Sequence, residues 1–420
     1  MKILILALTG SDGDIHPHLG IGQELMARGH KVVCFCQEQY SQLVQSCGFE
    51  FENTIGQDET AALLDQIRAR KHLGKLKHLH ESISTKIFDL YNAIISRIDD
   101  ETVMISDPFG SIIARFINEK YGTPYTAACF MPASLFSITD PPIMKETRLY
   151  RKMPYSLRSL LFFMSKKLLI DPVFGTLFNR IIQEQNRTQR SFSFTEWIYS
   201  SPNMLGLFPE WYGPTAKDWP TQLVRTGFPL FSESQDGEEN TALARFLNSG
   251  DAPVIFTPGS RSSKRYEEFF EAAVSALQSL GLRGLFLARS SEQIPRLPST
   301  IHYEKYVPLN LVLPRSKAFV HHGGIGTTAQ ALYSGTPQLF IPGNFDQFDN
   351  AHIVESLGCG IELKKKNNSG LTESLHRLLV DQEIKQNCLR VREKMEPGHV
   401  ACGRAADVIE QTLWNKRGWS

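Results

Sequence analysis

The residues best equipped for chemistry lie in one short stretch, Phe319-Val-His-His-Gly-Gly-Ile-Gly-Thr-Thr328, where an apolar run passes into glycines and hydroxyls and then a helical pattern. Glycines let a backbone approach a ligand closely, and the amides that open a helix attract phosphate. Thr327 adds a hydroxyl donor, and either His321 or His322 adds a ring donor. The stretch therefore predicts a phosphate cradle at a strand-to-helix turn. Such turns also occur in α/β proteins as plain connections, and the glycines alone do not separate the two cases.

A second segment, Pro342-Gly-Asn-Phe-Asp-Gln-Phe-Asp-Asn350, follows the next apolar run. Asp346 and Gln347 offer a carboxylate and an amide, a pair suited to sugar hydroxyls, although a solvated loop has the same composition. A third, Thr9-Gly-Ser-Asp-Gly-Asp-Ile-His-Pro17, follows the first apolar run of the chain. Asp14 and His16 are general-base candidates there. Asp12 or Asp14 is equally suited to cap a helix. Asp107, at the end of Thr102-Val-Met-Ile-Ser-Asp107, can orient a partner or face a ligand.

These loops need strands to carry them. Lys2 to Leu8, Lys31 to Cys36, Thr102 to Asp107 and Pro124 to Phe130 read as strands alternating with helices, the first helix spanning Pro17 to Arg28 with Gly29 just past its end. That alternation predicts a parallel sheet with crossover helices. From Pro132 to about Ser201 the rhythm gives way to a helical, aromatic-rich insertion. Between Lys145 and Arg190 it holds ten Lys or Arg against three acidic residues. Short strands resume at Met204 to Phe208 and Leu223 to Thr226. A polar linker at 231–241 ends an N-terminal domain of residues 1–230. A second α/β series over 242–420 holds Val254 to Thr257, Gly284 to Ala288, Ala318 to Val320 and Gln338 to Ile341, with a helix from Tyr266 to Leu280. Its last helix is a candidate to pack back on the N-terminal domain.

At 420 residues the chain exceeds what one core usually serves, in keeping with two domains. A net charge of +1, with 42% hydrophobic and 21% charged residues, describes a globular protein with no nucleic-acid partner. Seven cysteines without a C-x-x-C pair fit a reducing cytoplasm. The first apolar run is too short for a signal peptide or membrane span, and Lys166-Lys167 interrupts the apolar stretch Leu160 to Ile170.

Taken together, His321 to Asn350 resembles the donor-binding signature of the inverting glycosyltransferases of the GT-B fold, a family that includes sterol, macrolide and glycopeptide enzymes. Trp219-Pro220, Thr226-Gly-Phe-Pro-Leu-Phe231 and Asp346-Gln-Phe-Asp-Asn-Ala351 look most like the rhamnosyltransferases of rhamnolipid synthesis. The resemblance implies two Rossmann-like domains whose parallel sheets face each other across a cleft. It also implies transfer of a hexose or deoxyhexose from a nucleoside-diphosphate sugar, as co-substrate, to a hydroxyl of an apolar or lipid-like acceptor. His322, Gly324, Gly326 and Thr327 match the family's diphosphate stretch, with His321 kept as a candidate. Ser260 matches a further diphosphate contact, Tyr306 a ring stacked on the nucleobase, and Asp346 and Gln347 the sugar contacts. Gln330 stands where UDP-sugar enzymes carry a ribose-binding glutamate, which leaves room for a dTDP-linked donor. Asp14 matches the general base, with His16 as its rival.

Asp12-Gly-Asp14 imitates a metal-binding Asp-x-Asp, but the family places its diphosphate on the other domain. A metal-independent reaction without cofactor is the expectation. The helical insertion stands where the family builds its acceptor pocket. Its basic excess suits peripheral contact with the inner face of a membrane, or a solvated face over a packed core. The competing expectations are a nucleotide-sugar hydrolase or epimerase of the same fold, and a nicotinamide-dependent oxidoreductase. The latter is weakened because Gly10 is followed by Ser11 and Asp12 rather than by the glycines of a dinucleotide loop.

Overall fold

The computed structural model describes residues 1–8, 12–54, 73–143, 149–186, 192–213, 215–231, 241–259, 266–344, 346–365 and 367–417, without the side chains of 73–82, 241, 293 and 413–417. It divides into two units. The first comprises Met1–Pro141, Leu149–Pro229 and Gly398–Ser420; the second comprises Pro142–Arg148 and Leu230–Pro397.

The first unit is built on seven parallel strands: β1 (Lys2–Leu6), β2 (Lys31–Cys36), β3 (Glu50–Asn53), β4 (Thr102–Ser106), β5 (Tyr125–Cys129), β6 (Asn203–Gly206) and β7 (Leu223–Arg225), in the order β3-β2-β1-β4-β5-β6-β7. Ile3, Leu4, Ile5 and Leu6 are all fully buried, as expected of a parallel strand covered on both faces. The helix after β1 runs Asp12–Ala27, so it starts earlier than the sequence predicts and takes Pro17 into its interior. Proline cannot donate to the preceding turn. The buried stripe Ile15, His18, Leu19, Gly22 and Leu25 holds the helix on the sheet regardless. It ends as expected at Gly29, whose φ is +88° and whose N–H donates to the Met26 carbonyl at 2.8 Å.

The insertion is helical, as the sequence predicts, but its two halves differ. Leu177, Phe178, Ile181, Ile182, Phe192 and Trp197 are buried against the helix Gly110–Tyr121, with the rings of Phe116 and Trp197 edge-on at 4.9 Å. There the plain packing expectation holds. The preceding helix, Tyr155–Ser165, buries none of its residues. The helix Gly398–Arg417 belongs to the first unit and lies against Asp12–Ala27, where Arg28 reaches Asp407 at 2.7 Å and Glu410 at 2.8 Å.

The second unit repeats the architecture with six parallel strands: β8 (Val254–Thr257), β9 (Gly284–Leu287), β10 (Ile301–Glu304), β11 (Ala318–His321), β12 (Gln338–Phe340) and β13 (Gly360–Glu362), in the order β10-β9-β8-β11-β12-β13. Ile255, Leu285, Val312, Leu313, Phe319 and Ala331 form a buried cluster on it. No helix among the described residues is long and apolar enough to cross a membrane.

Candidate active site

In each sheet the first strand is central and the chain winds outward to one side before returning to the other. This leaves switch points between β1 and β4 and between β8 and β11. Ligands of open parallel sheets bind beyond the carboxyl ends of the strands at such points. In the second unit Gly259 follows β8, and His322-Gly323-Gly324 follows β11 and leads into the helix Ile325–Ser334. Gly324 is the N-cap residue, with φ −62° and ψ 145° and no side chain to engage the first-turn amides. Those amides carry the positive end of the helix dipole.

His322 is half-buried, and glycines flank its ring. A Cβ on Gly259 would fall 2.7 Å from the His322 Cε1, and one on Gly324 would fall 2.6 Å from Nε2. Gly259 also has φ +97°, a conformation that disfavours any other residue.

The neighbouring histidine has a different setting. His321 is fully buried between Phe319 and Phe340, with ring centroids 4.6 Å and 4.7 Å away. Its Nδ1 accepts from the Gly323 N–H at 3.1 Å, so Nε2 carries the proton and donates to the Gln338 side-chain oxygen at 3.0 Å. Burial, then the nearby His322, push its pKa down to about 3, against the pull of Gln338. Expected as a donor-site candidate, His321 is thus a neutral ring with both nitrogens committed inside the protein, and it shapes the turn that presents His322. Successive strand residues point to opposite faces, which is why two adjacent histidines part company.

The second loop is tied to the first. The Asn350 side-chain amide, fully buried, donates to the Gly323 carbonyl and to the Asp346 carboxylate, both at 2.9 Å. Gln347 opens the helix Gln347–Ser356, and its side-chain oxygen accepts from the N–H groups of Gly343 at 2.8 Å and Asn344 at 3.1 Å. One end of Gln347 therefore holds its own loop, leaving its NH2 group for any sugar contact.

Gly326 and Thr327 lie in the first turn of the helix Ile325–Ser334, both half-buried. Gln330 lies further along that helix, where its amide donates to the Phe231 carbonyl at 3.4 Å. Tyr306 follows the carboxyl end of β10 and is 49% exposed. Ser260 lies outside the described residues, as do Thr9, Gly10 and Ser11 of the first loop.

In the first unit Asp14 sits in the opening turn of Asp12–Ala27, not in a loop. At about 100° per residue, Asp14 lies beside the buried stripe of that helix and His16 further from its middle, both half-buried. Beneath Asp14, the fully buried His18 donates from Nδ1 to the Asp14 carbonyl at 2.9 Å, and burial lowers its pKa to about 4. Asp12 accepts from the Tyr40 hydroxyl at 2.8 Å. Asp107 is fully buried, and its two oxygens accept from Leu8 N–H at 2.7 Å and Gly110 N–H at 2.6 Å. Through these bonds it ties the ends of β1 and β4 together, the positioning role that the sequence allowed it. Among the described residues no three His, Cys, Asp or Glu side chains are grouped as a metal site requires.

Gly259, Gly323, Asn350 and His18 carry this geometry without having been singled out from the sequence. For His18 a signal existed: it lies four residues after Asp14, on the same helix face.

Residues 285–403 match the family described as Erythromycin biosynthesis protein CIII-like, C-terminal domain. The chain is 25% identical over 418 residues to a sterol 3-beta-glucosyltransferase of Komagataella phaffii, covering 93% of this chain but only 33% of that relative's length. It is 24% identical over 412 residues to the O-mycaminosyltylonolide 6-deoxyallosyltransferase of Streptomyces fradiae, covering 94% of this chain and 93% of that protein. Among solved structures, the glycotransferase of kitacinnamycin superposes with a TM-score of 0.73 at 20% identity, covering 98% of this chain and 99% of that one. The glycosyltransferase VinC, solved in complex with dTDP, superposes with a TM-score of 0.67 at 16% identity, covering 99% of this chain and 100% of that one. The two parallel-sheet units are those of the GT-B fold.

Proposed function

We propose that this chain, whose fold and relatives are those of the GT-B glycosyltransferases, transfers a hexose or deoxyhexose from a nucleoside-diphosphate sugar to a hydroxyl of an apolar acceptor, inverting the anomeric centre. The observation that carries it is the cradle around His322. Two glycines clear space for the ring at a sheet switch point, and a helix whose N-cap has no side chain opens directly beyond it. Backbone amides at that helix end and the His322 N–H would bear the charge of the departing diphosphate, so that no metal is required. Tyr306 supplies an exposed ring for the base. The neutral Gln330, and the dTDP bound by VinC, favour a dTDP-linked donor over a UDP-linked one.

In the step itself the acceptor oxygen attacks C1 of the sugar opposite the diphosphate. The acceptor C1–O bond forms as the C1–O bond to phosphate breaks, and the acceptor proton passes to a general base. Asp14 is the better base, because it lies nearer than His16 to the middle of the buried stripe, directly over the buried His18.

The test is product analysis with dTDP- and UDP-linked sugars and an apolar alcohol, with and without EDTA. Release of the nucleoside diphosphate that depends on the alcohol, survives EDTA and yields the inverted glycoside is expected. Release without any acceptor would identify a hydrolase or epimerase, and loss of most activity in EDTA would overturn metal independence.

A further inference from the structure

We infer that the helix Tyr155–Ser165 and the π-helical turn Lys166–Ile170 form a surface that docks on an anionic lipid bilayer. Large apolar side chains stand out from it: Leu160 is 54% exposed, Phe163 58%, Leu168 74% and Leu169 51%. Large apolar side chains exposed together along one short segment mark an interaction site.

The charges identify the occupant. Residues 149–170 contain five bases, Arg151, Lys152, Arg158, Lys166 and Lys167, and no acid. A second copy of the chain meeting this face symmetrically would set like charges against each other. Anionic headgroups satisfy them while the apolar side chains enter the acyl boundary, the arrangement of an interfacial helix. Lys166 is paired with Glu196 and Arg151 with Asp140, whereas Lys152 and Lys167 are exposed and available to headgroups.

The surface is firmly mounted. The chain runs straight on into the helix Asp171–Leu177, where the buried Asp171 accepts from the Phe194 N–H at 2.9 Å and the rings of Phe174 and Phe194 stack at 3.8 Å. Docking here is independent of glycosyl transfer, but it would bring the chain to the phase in which an apolar acceptor dissolves.

The experiment is flotation of the full chain with vesicles of phosphatidylcholine alone or with about one third phosphatidylglycerol. Compared with it are a variant carrying Leu160→Ser, Phe163→Ser, Leu168→Ser and Leu169→Ser, and another carrying Lys152→Glu and Lys167→Glu. The unaltered chain should float with the anionic vesicles, less so at high salt, and both variants should bind at least about tenfold more weakly while keeping the same thermal stabilisation by dTDP. An unaltered chain that stays in solution with both vesicles overturns the inference, as does a serine variant that floats undiminished. Sedimentation velocity showing a dimer that the serine substitutions dissociate would assign the surface to a second copy instead. Vesicle binding without glycosyl transfer would leave this inference standing and refute the proposed activity.

Discussion

The His322 ring lies against Gly259, closely enough that a methyl group on the glycine would come within 2.7 Å of it. These residues follow β8 and β11, the two strands on either side of the second sheet's switch point. Their contact links the two loops from which the diphosphate site is proposed.

Gly259→Ala should therefore displace the ring and strain a backbone held at φ +97°. A cost of about 1–3 kcal/mol at the site corresponds to roughly a ten- to hundredfold loss of dTDP affinity. Isothermal calorimetry measures it, and unchanged affinity would mean that the ring has no bound partner to lose.

Asp14→Asn should lower turnover on the order of a hundred- to ten-thousandfold, as expected for a lost general base, with dTDP binding unaltered. His16→Asn should leave turnover within a few-fold. Steady-state rates of the pair decide between them, and the reverse pattern would make His16 the base.

His321→Ala should act on the fold. It removes a fully buried ring and both of its hydrogen bonds, a change worth about 2–4 kcal/mol in urea unfolding. A loss below about 0.5 kcal/mol, the level of a surface change, would contradict its buried structural role.

Acid should weaken the protein well above the range of carboxylate titration. His18 and His321 have native pKa values lowered by burial from 6.5 to about 4 and about 3. A depressed pKa means that the unfolded chain takes up the proton first, so the stability these rings carry is complete above pH 6.5 and is lost as pH falls toward the native values. At about pH 5 each ring costs roughly 2 kcal/mol. Denaturant unfolding at pH 7 and pH 5 should show the loss, and about half of it should vanish in His321→Gln. A flat profile would contradict the buried, neutral rings.

The central strands and the crossover helices were legible from apolar runs and their spacing. Three of the four edge strands were not: Glu50–Asn53, Ile301–Glu304 and Gly360–Glu362 have three or four residues with acids among them, and so short a strand leaves little pattern. The start of the first helix was misplaced because a proline normally signals a first turn, and here packing of the stripe from Ile15 to Leu25 outweighs the lost hydrogen bond. The glycine-rich stretch marked the candidate site as a segment. Which histidine faces it depended on the side chain of Gln338, one strand away in the sheet, and no local signal carries that.

The central claim is that the turn at His322 holds the diphosphate of a sugar nucleotide. Calorimetric titration of dTDP and UDP into the unaltered chain and into His322→Ala tests it most directly. The account predicts binding of dTDP, weaker binding of UDP, and at least about a tenfold loss of dTDP affinity in the variant, the worth of one charge-assisted hydrogen bond. No binding of either nucleotide, or equal affinity in the two proteins, would contradict it.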